Sequence, residues 1–559
     1  MLAPLPGCGM IAPTGGVRPP EWDFRERNMK RRGFLAGAGA LAAQPVAIRR
    51  SLAQPAIGGA AKTLVFVPTT NPLSYDPVWT TAQATRTLAM MIYETLYTRD
   101  IALNAHPHMV EGHIVEDGGK RWTMKLRPGL TFHDGTPVLA RDCIASVRRW
   151  MVRDPTGAAI KARLDALEAA DDRTMVWRLN KPLAFLPNAL AKTQPTCVMM
   201  PERLAQDPFK QAAEAIGSGP FRWLADEFVS GSRAMFAKYV KYIPRAEPVE
   251  YGRGGYHVKV DRVEWRVIPD AATAAGALMR GEVDWLEMPL PDLLPSLRKA
   301  PGVKVERLDT HGIFPVMRPN FVTGPTTNVA VRRAMLWAID QTDEMVAVMG
   351  DDREGFRAPI GFFVPGTESA SEAGMEVLRK RPSDDAIRAM LKEGGYNGER
   401  IAFMHPTDPQ AYDALCQVAL PAWRRVGLNI DEQTTDWGTV TQRRNSKEPL
   451  EKGGWSVFPS GFPAVDFGNP VLATGLRTNG KDAWIGWPEN TKLEALRDAW
   501  IDSSDPAEQK RISAAIQIEC FDFVPYIPLG QYIQATAWRS NVTGLLRGPA
   551  PVFWNIEKA

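Results

Sequence analysis

Hydrophobic residues recur along the chain with two spacings. Strand-like apolar runs or alternation occur at 62–67, 121–126, 174–179 and 263–268, and a further strand is predicted after Gly281-Glu282-Val283-Asp284-Trp285. Apolar spacings of three and four predict helices over 85–96, 271–279, 328–340 and from Ala140 onward. Because the two kinds of element alternate, the sequence predicts a mixed α/β fold.

The chain is too long for a single hydrophobic core. It has 559 residues, whereas single cores stop growing at about 250–300 residues. There is no tandem repeat and no low-complexity linker. Two or three lobes are therefore expected.

The N-terminal region has the pattern of an export signal. Arg31-Arg32 is followed by Phe34-Leu35 and an Ala/Gly-rich run to Ala47. This pattern predicts a twin-arginine signal over 1–53, with cleavage after Ala53 and a periplasmic destination. Translation could start at Met1 or at Met29, and the sequence leaves both open.

Net charge and hydropathy reduce the number of partner classes that fit this chain. The formal net charge is +4, and the predicted signal carries the excess, so the remainder is close to neutral. A near-neutral surface argues against nucleic acid and anionic lipid as partners. After the signal region there is no apolar run of the ~18 residues that a membrane span needs. A soluble monomer is expected.

The cysteines indicate neither zinc nor thiol–disulfide chemistry. After the predicted signal they are Cys143, Cys197, Cys416 and Cys520, and no two form a C-x-x-C pair. An oxidising periplasm permits disulfides, whereas a protein folded before export forms in a reducing compartment. Buried thiols and disulfides both remain open.

Residues that suggest catalysis have a simpler explanation. His133-Asp134 precedes Gly135, and an Asp-Gly pair is ordinary turn chemistry. There is no G-x-S-x-G nucleophile motif and no H-E-x-x-H zinc motif. No catalytic residue and no cofactor is therefore predicted, and the chain is not expected to be an enzyme.

Three histidines have a spacing that can bind metal. His106, His108 and His113 form an H-x-H-x4-H pattern, and neutral imidazoles bind transition metals. Surface histidines on a loop are the favoured interpretation, so no metal ligand is predicted.

Ordered motifs carry a family resemblance. Residues 121–149 read R-W-T-M-K-L-R-P-G-L-T-F-H-D-G-T-P-V-L-A-R-D-C-I-A-S-V-R-R-W, 217–221 read G-S-G-P-F, and 328–340 read N-V-A-V-R-R-A-M-L-W-A-I-D. Together these closely resemble the extracellular solute-binding proteins of family 5, the dipeptide- and oligopeptide-binding group that serves ABC importers. The resemblance extends over nearly all of the chain after the signal.

The resemblance implies a fold that composition does not give. It is a periplasmic-binding-protein-like, two-lobed α/β fold of type II with an extra subdomain and a ligand cleft between the lobes. Lobe I would combine 54–98, 215–306 and 525–559, with 99–214 inserted as a subdomain. Lobe II would span 307–524, and two crossing strands would form the hinge.

The resemblance also implies a function. The protein would capture a peptide-like or other small amphipathic solute by hinge closure and deliver it to an ABC permease in the inner membrane. One alternative is a binding protein for a nickel-type metal chelate or another non-peptide. An exported hydrolase is the remote alternative.

The expected ligand site lies around Gly454-Trp455, which resembles the peptide binders' G-W-x-x-D segment. Phe458 stands where those proteins place the aspartate that pairs with a peptide's ammonium group, so an apolar or aromatic ligand group is expected there. Asp466 is a possible substitute for that aspartate. Trp455 is expected to be a cleft wall that supports little of the core. The complete set of predicted ligand residues is Trp455, Phe458, Trp437, Asp466, Phe462 and Tyr75.

Overall fold

The computed structural model describes residues 62–71, 74–80 and 82–559. The predicted twin-arginine signal, its cleavage position and both candidate start residues lie outside these residues. Within them, no helix is long and apolar enough to cross a membrane.

The first sheet has seven strands among the residues described. Thr63–Val67 lies near its centre and pairs in parallel with Arg262–Arg266 and with Trp285–Leu286. Phe66 points into the core, where its ring contacts those of Trp265, Trp285 and Phe553 at centroid distances of 5.1, 4.9 and 5.1 Å. The strand order is Val303–Glu306, Thr536–Arg539, Trp285–Leu286, Thr63–Val67, Arg262–Arg266, Arg233–Lys238, Phe221–Trp223.

The second sheet also has seven strands in the described part of the chain. Val457–Pro463 lies between Ile313–Pro319, to which it is antiparallel, and Ile401–Pro406, to which it is parallel. The order is Phe356–Arg357, Gln531–Tyr532, Ile313–Pro319, Val457–Pro463, Ile401–Pro406, Ile430–Thr435, with Ile527–Pro528 also paired to Ile313–Pro319.

Smaller sheets complete the strand content. A four-stranded sheet has the order Val110–Glu116, Arg121–Leu126, Thr174–Leu179, Leu164–Ala169. Two-stranded pairs join Tyr97–Arg99 to Ala105–Pro107 and Val542–Thr543 to Glu557–Lys558. The four-stranded sheet falls inside the range predicted for the inserted subdomain.

Several helices begin where a polar side chain accepts a backbone N–H group. Asn328, Ser383 and Asp436 are three such caps. The α-helices are Gln83–Ile92, Ala140–Arg153, Pro155–Lys161, Leu186–Leu190, Glu202–Ala205, Ala271–Arg280, Leu294–Lys299, Val329–Ala338, Gln341–Met349, Glu376–Arg379, Asp384–Glu393, Gln410–Arg425, Trp437–Arg443, Thr491–Asp502 and Pro506–Phe523.

The chain passes between the two large sheets twice. It leaves the first sheet after Glu306 and enters the second at Ile313, and it returns between Tyr532 and Thr536. The return therefore falls after Gln531–Tyr532, whereas the predicted boundary at 525 had assigned Ile527–Tyr532 to the first lobe. These two short crossings connect the two lobes of the fold.

The two motif segments that carry the resemblance are in direct contact. The His133 backbone N–H donates to the Gly217 carbonyl at 2.8 Å, and the His133 ring Nε2 lies 3.0 Å from the Gly219 carbonyl oxygen. Asp134 accepts from the backbone N–H and the hydroxyl of Thr136 at 3.0 and 2.6 Å. His133 and Asp134 therefore stabilise a turn, and the structural interpretation is confirmed.

The cysteine question is also resolved. Cys143, Cys197, Cys416 and Cys520 are buried free thiols. Burial raises the pKa of each thiol above its usual range, which keeps the thiols protonated and unreactive.

Candidate ligand site

Four of the predicted ligand residues meet beside strand Val457–Pro463. The strand follows Gly453, whose φ is +84°, and Gly454, where a Cβ atom would come within 2.0 Å of the Glu448 carbonyl oxygen. Only glycine fits this approach. The turn directs Trp455 and Phe458 to one cluster.

An aromatic cluster forms around this strand. Trp455 and Phe458 are both fully buried, with ring centroids 5.0 Å apart at an interplanar angle of 77°. The Trp455 indole N–H donates to the Ser446 carbonyl at 3.1 Å. We define the aromatic cluster as Met404, Trp437, Val440, Trp455, Phe458, Trp484, Ile485 and Trp487.

Phe462 extends the cluster toward the crossing strands. Its ring centroid lies 5.1 Å from that of Trp484 and 5.0 Å from that of Phe467. Trp437 lies at the other side, 4.8 Å from the Tyr412 ring. The half-buried members provide the accessible apolar surface of the cluster, and these are Trp437, Trp484, Ile485 and Trp487.

The burial of Trp455 corrects one expectation. Its side chain has 0% exposure and a satisfied indole N–H, so it belongs to the core of the second lobe. The statement that Trp455 supports little of the core is therefore wrong. Its contact with a solute stays a prediction.

A cation lies against the aromatic cluster. The Arg444 guanidinium carbon is 5.6 Å from the Trp437 ring centroid and 5.8 Å from that of Phe458. Burial lowers the pKa of Arg444 to about 10, an effect that the Tyr412 phenol partly opposes. The side chain therefore stays charged at neutral pH.

Asp466 is separate from this cluster and faces the first lobe. It is 3% exposed and accepts a hydrogen bond from the Thr193 hydroxyl at 2.6 Å. Burial raises the pKa of Asp466, while Lys192, Arg99 and Arg86 oppose that rise. Asp466 therefore has cationic partners within the protein.

Asp466 belongs to a group of opposite charges in which the cations come from the first lobe and the acids from residues 307–524. Burial lowers the pKa of Arg99, which Asp466 and Glu368 oppose, and burial raises the pKa of Asp309, beside Arg86. We call these six residues the interlobe charge group: Arg86, Arg99 and Lys192 against Asp309, Glu368 and Asp466.

A cavity adjoins the interlobe charge group on the first-lobe side. Its volume is about 60 Å³, which is room for a few water molecules and is below the ~300 Å³ at which small-molecule sites begin. Several buried polar atoms around it lack a hydrogen-bond partner, among them Arg86 Nε and Nη1, Arg99 Nε and the Tyr93 hydroxyl. Part of the wall is aromatic and is formed by Tyr93, Tyr97, Tyr251, Tyr256 and Trp554.

Tyr75 lies elsewhere. Its hydroxyl donates to the Ala213 carbonyl at 2.9 Å, and its ring centroid is 6.2 Å from that of Trp223. The neighbouring Asp76 is buried and forms an ion pair with Arg149 at 2.6 Å. The structure thus places Tyr75 against the predicted subdomain, apart from the aromatic cluster.

The three histidines do not converge. His106 lies 2.7 Å from Asp100, His113 lies 2.8 Å from the Tyr97 hydroxyl, and His108 is buried against Tyr256 with ring centroids 4.5 Å apart. The expectation of loop histidines on the surface is wrong for His108. In the part of the chain that the structure describes, no group of three His, Cys, Asp or Glu residues could hold a metal ion.

Sequence reasoning missed the cations of the interlobe charge group and the cation beside the aromatic cluster. Arg86, Arg99 and Lys192 are far apart in sequence, and only the tertiary fold brings them to Asp466. A signal for Arg444 was present, because the segment from Trp437 to Lys447 contains no acidic residue.

Sequence comparison defines the class of protein. The family model for bacterial extracellular solute-binding proteins, family 5 Middle, matches residues 104–474. The "Probable peptide ABC transporter periplasmic-binding protein y4tO" of Sinorhizobium fredii (strain NBRC 101917 / NGR234) is 35% identical over 530 residues, which cover 94% of this chain and 98% of that protein. The chain belongs to the bacterial extracellular solute-binding proteins of family 5. The glutathione-binding protein GsiB of Escherichia coli (strain K12) is 24% identical over 508 residues, covering 87% of this chain and 92% of that one.

Structural comparison supports the two-lobed fold. The periplasmic binding protein AgaA of A. tumefaciens R10 in complex with agropinic acid has a TM-score of 0.73 at 20% identity, covering 89% of this chain and 99% of that one. A dipeptide-binding protein from Pseudoalteromonas sp. SM9913 in complex with Met-Leu has a TM-score of 0.73 at 18% identity, covering 89% and 100%.

Proposed function

We propose that this protein is the periplasmic solute-capturing component of an ABC importer and has no catalytic activity of its own. It takes up a peptide-like or other small amphipathic solute between its lobes and presents the closed form to a membrane permease. The observation that carries this proposal is the pair of seven-stranded sheets joined by two short crossings.

Hinge closure follows from that architecture. In the described part of the chain, only residues 307–312 and 533–535 connect the strands of the two sheets, so small backbone rotations there can reorient whole lobes. A solute that contacts both lobes favours the closed arrangement by its differential affinity for that state. The aromatic cluster and the interlobe charge group supply the apolar and polar contacts.

The chemistry of the site favours a solute that is partly apolar. Trp437 and Trp484 offer half-buried ring surface, and aromatic rings form broad apolar walls in binding clefts. The names of the comparison proteins include binders of peptides, glutathione and agropinic acid, which supports a small organic solute.

The test combines ligand identification with scattering. Mass spectrometry of the protein purified under native conditions identifies the small molecule that it retains. Small-angle scattering before and after removal of that molecule should show a smaller radius of gyration for the loaded form. An identical scattering curve at saturation contradicts hinge closure, and a protein that retains and binds no small solute contradicts the proposed function.

A further inference from the structure

Arg444 is a charged side chain without a counter-ion. Its Nε is buried and has no hydrogen-bond partner. The backbone N–H of Arg444 donates to the Val440 carbonyl at 2.9 Å, but no ion pair and no side-chain hydrogen bond joins Arg444 to any residue that the structure describes. Its guanidinium lies beside the rings of Trp437 and Phe458. The side chain as a whole is half-buried, but its Nε is withdrawn from water without a partner, which costs free energy.

The adjacent arginine shows what a structural role looks like here. Arg443 donates from Nε to the Gly453 carbonyl at 2.9 Å and from Nη2 to the Gly454 carbonyl at 2.6 Å. It therefore holds the glycine turn before Trp455. Arg444, one residue further along, has no such carbonyl.

Buried arginines of the second lobe follow the same rule. Arg318 donates to the carbonyls of Ile485, Gly475, Pro525 and Trp484 at 2.6 to 3.0 Å. Arg332 lies over two phenylalanine rings, as Arg444 lies over aromatic rings, but its guanidinium also donates to three backbone carbonyls. Stacking alone does not satisfy an arginine in this lobe.

The surroundings of Arg444 are positive and apolar. Residues 437–447 carry three cations and no carboxylate, and Lys447 lies over the Trp487 ring at 4.6 Å. Phe458 occupies the position at which the related segment of peptide binders has an aspartate. The charge expected at this position is therefore inverted: an acid is absent and a base is present.

We propose that Arg444 binds the solute directly, and that the solute carries a carboxylate which pairs with the guanidinium beside Trp437 and Phe458. This inference rests on the proposed solute-binding function. The two ring centroids lie 5.6 and 5.8 Å from the guanidinium carbon, and no described residue accepts a hydrogen bond from Nη1 or Nη2. These donors match the two oxygens of a carboxylate. The part of the solute next to the carboxylate is apolar or aromatic, because it meets the cluster.

The melting temperature of the protein without solute distinguishes a solute-binding role of Arg444 from a role in packing. Arg444→Met keeps the apolar stem and removes an unpaired charge, so the unloaded variant should melt no lower than wild type. If Arg444 were only a packing residue, the same change would lower the melting temperature. Arg424→Gln is the matched control, because that exposed arginine pairs with Glu432 at 3.8 Å in the same lobe.

Binding is measured with two probes. One is an aqueous small-molecule extract of the producing cells, used before and after methyl esterification of its carboxylates. The other is N-acetyl-phenylalanine, compared with its uncharged amide. Tryptophan fluorescence and thermal shift report binding, because Trp437, Trp455, Trp484 and Trp487 lie in the cluster.

The expected result is that untreated extract and the free acid stabilise wild type, whereas esterified extract and the amide do so far less. Arg444→Met should weaken binding about 10- to 150-fold, the loss expected for a charged hydrogen bond, and Arg444→Lys should restore part of it. Arg424→Gln should bind like wild type.

Two failures can be told apart. Undiminished stabilisation by esterified extract, or wild-type affinity in Arg444→Met, overturns the carboxylate proposal and leaves the solute-binding function intact. If neither probe stabilises wild type, the proposed function fails and this inference fails with it.

Discussion

Trp455 shows how one residue can belong to a predicted site and to the core. Its ring is fully buried against Phe458 and its indole N–H is satisfied by Ser446. The sequence could identify the segment, because Gly454-Trp455 is a local motif. It could not give the burial, because Trp484 and Trp487 come from a loop about thirty residues further on.

Replacing Trp455 should therefore destabilise the protein. We expect Trp455→Ala to lower the free energy of unfolding by about 3–5 kcal/mol, since a large buried ring leaves a cavity. Chemical denaturation measures this loss. Trp79→Ala is the control, because Trp79 is 39% exposed, and its loss should be clearly smaller. Equal losses in the two variants would contradict the assignment of Trp455 to the core.

His133 makes stability depend on pH. Burial lowers the pKa of His133 from 6.5 to about 4. In the unfolded chain the ring takes up a proton below pH 6.5, whereas in the folded protein it stays neutral. The contribution of neutral His133 to the free energy of unfolding is therefore complete above pH 6.5 and is lost as the pH falls toward 4.

Two measurements check this. The His133 ring resonance should not titrate between pH 8 and 5, and unfolding between pH 6.5 and 4 should become easier by up to about 1.4 kcal/mol per pH unit for this group. His133→Gln should show a flatter pH dependence than wild type. A ring that titrates near pH 6.5 in the folded protein would contradict its burial.

At the scale of elements, local patterns predicted whether a segment is a helix or a strand better than they predicted the residues at which it ends. Thr174–Leu179 begins and ends as predicted, and the helix predicted over 85–96 is observed at Gln83–Ile92. The helix stops early because Tyr93 has extended backbone angles, with φ −114° and ψ 157°. Apolar side chains continue to Leu96 because the chain stays buried after the helix ends.

Helix Thr491–Asp502 joins the second lobe to the predicted subdomain. Arg163 donates to Asp498 at 3.1 Å and to Asp502 at 2.9 Å, and Lys181 donates to Asp502 at 3.0 Å. Phe185 packs against Trp500 with ring centroids 5.5 Å apart. These contacts would have to separate if the lobes open.

Removing this ion-pair contact should shift the protein toward the open form. Arg163→Gln is expected to weaken solute binding about 1.5- to 5-fold, the range for a partly exposed ion pair, and to enlarge the radius of gyration. Calorimetry and small-angle scattering measure the two effects. Arg511→Gln, which breaks an exposed Arg511–Glu508 pair within one helix, should change neither. Unchanged affinity in Arg163→Gln would show that these contacts do not favour closure.

At the scale of the whole molecule, the fold class followed from alternating patterns, but the lobes did not. Each large sheet is assembled from segments that are hundreds of residues apart, as with Thr63–Val67 and Thr536–Arg539. Period-two patterns specify a strand and a buried face, and they carry no information about partners that distant. Only the family resemblance supplied the discontinuous layout, and its boundary at 525 precedes the observed return to the first sheet.

The export prediction also belongs to this scale. Changing Arg31 and Arg32 to lysine should leave uncleaved precursor in the cytoplasm, because the twin-arginine receptor reads that pair. Cell fractionation and immunoblotting measure the distribution. Changing Arg49 and Arg50 instead provides a control with the same change in residue type. Normal periplasmic levels of the Arg31/Arg32 variant would contradict the twin-arginine assignment.

The position of strand Thr536–Arg539 determines when folding can finish. It lies within the first sheet, paired on one side with Val303–Glu306 and on the other with Trp285–Leu286. A ribosome must therefore synthesise the chain beyond Arg539 before the first sheet can be completed. Until then Val303–Glu306 has no neighbour in its sheet, and its exposed strand edge is open to pairing with other nascent chains. Synthesis of Thr536–Arg539 thus ends a period in which the nascent protein is vulnerable to aggregation.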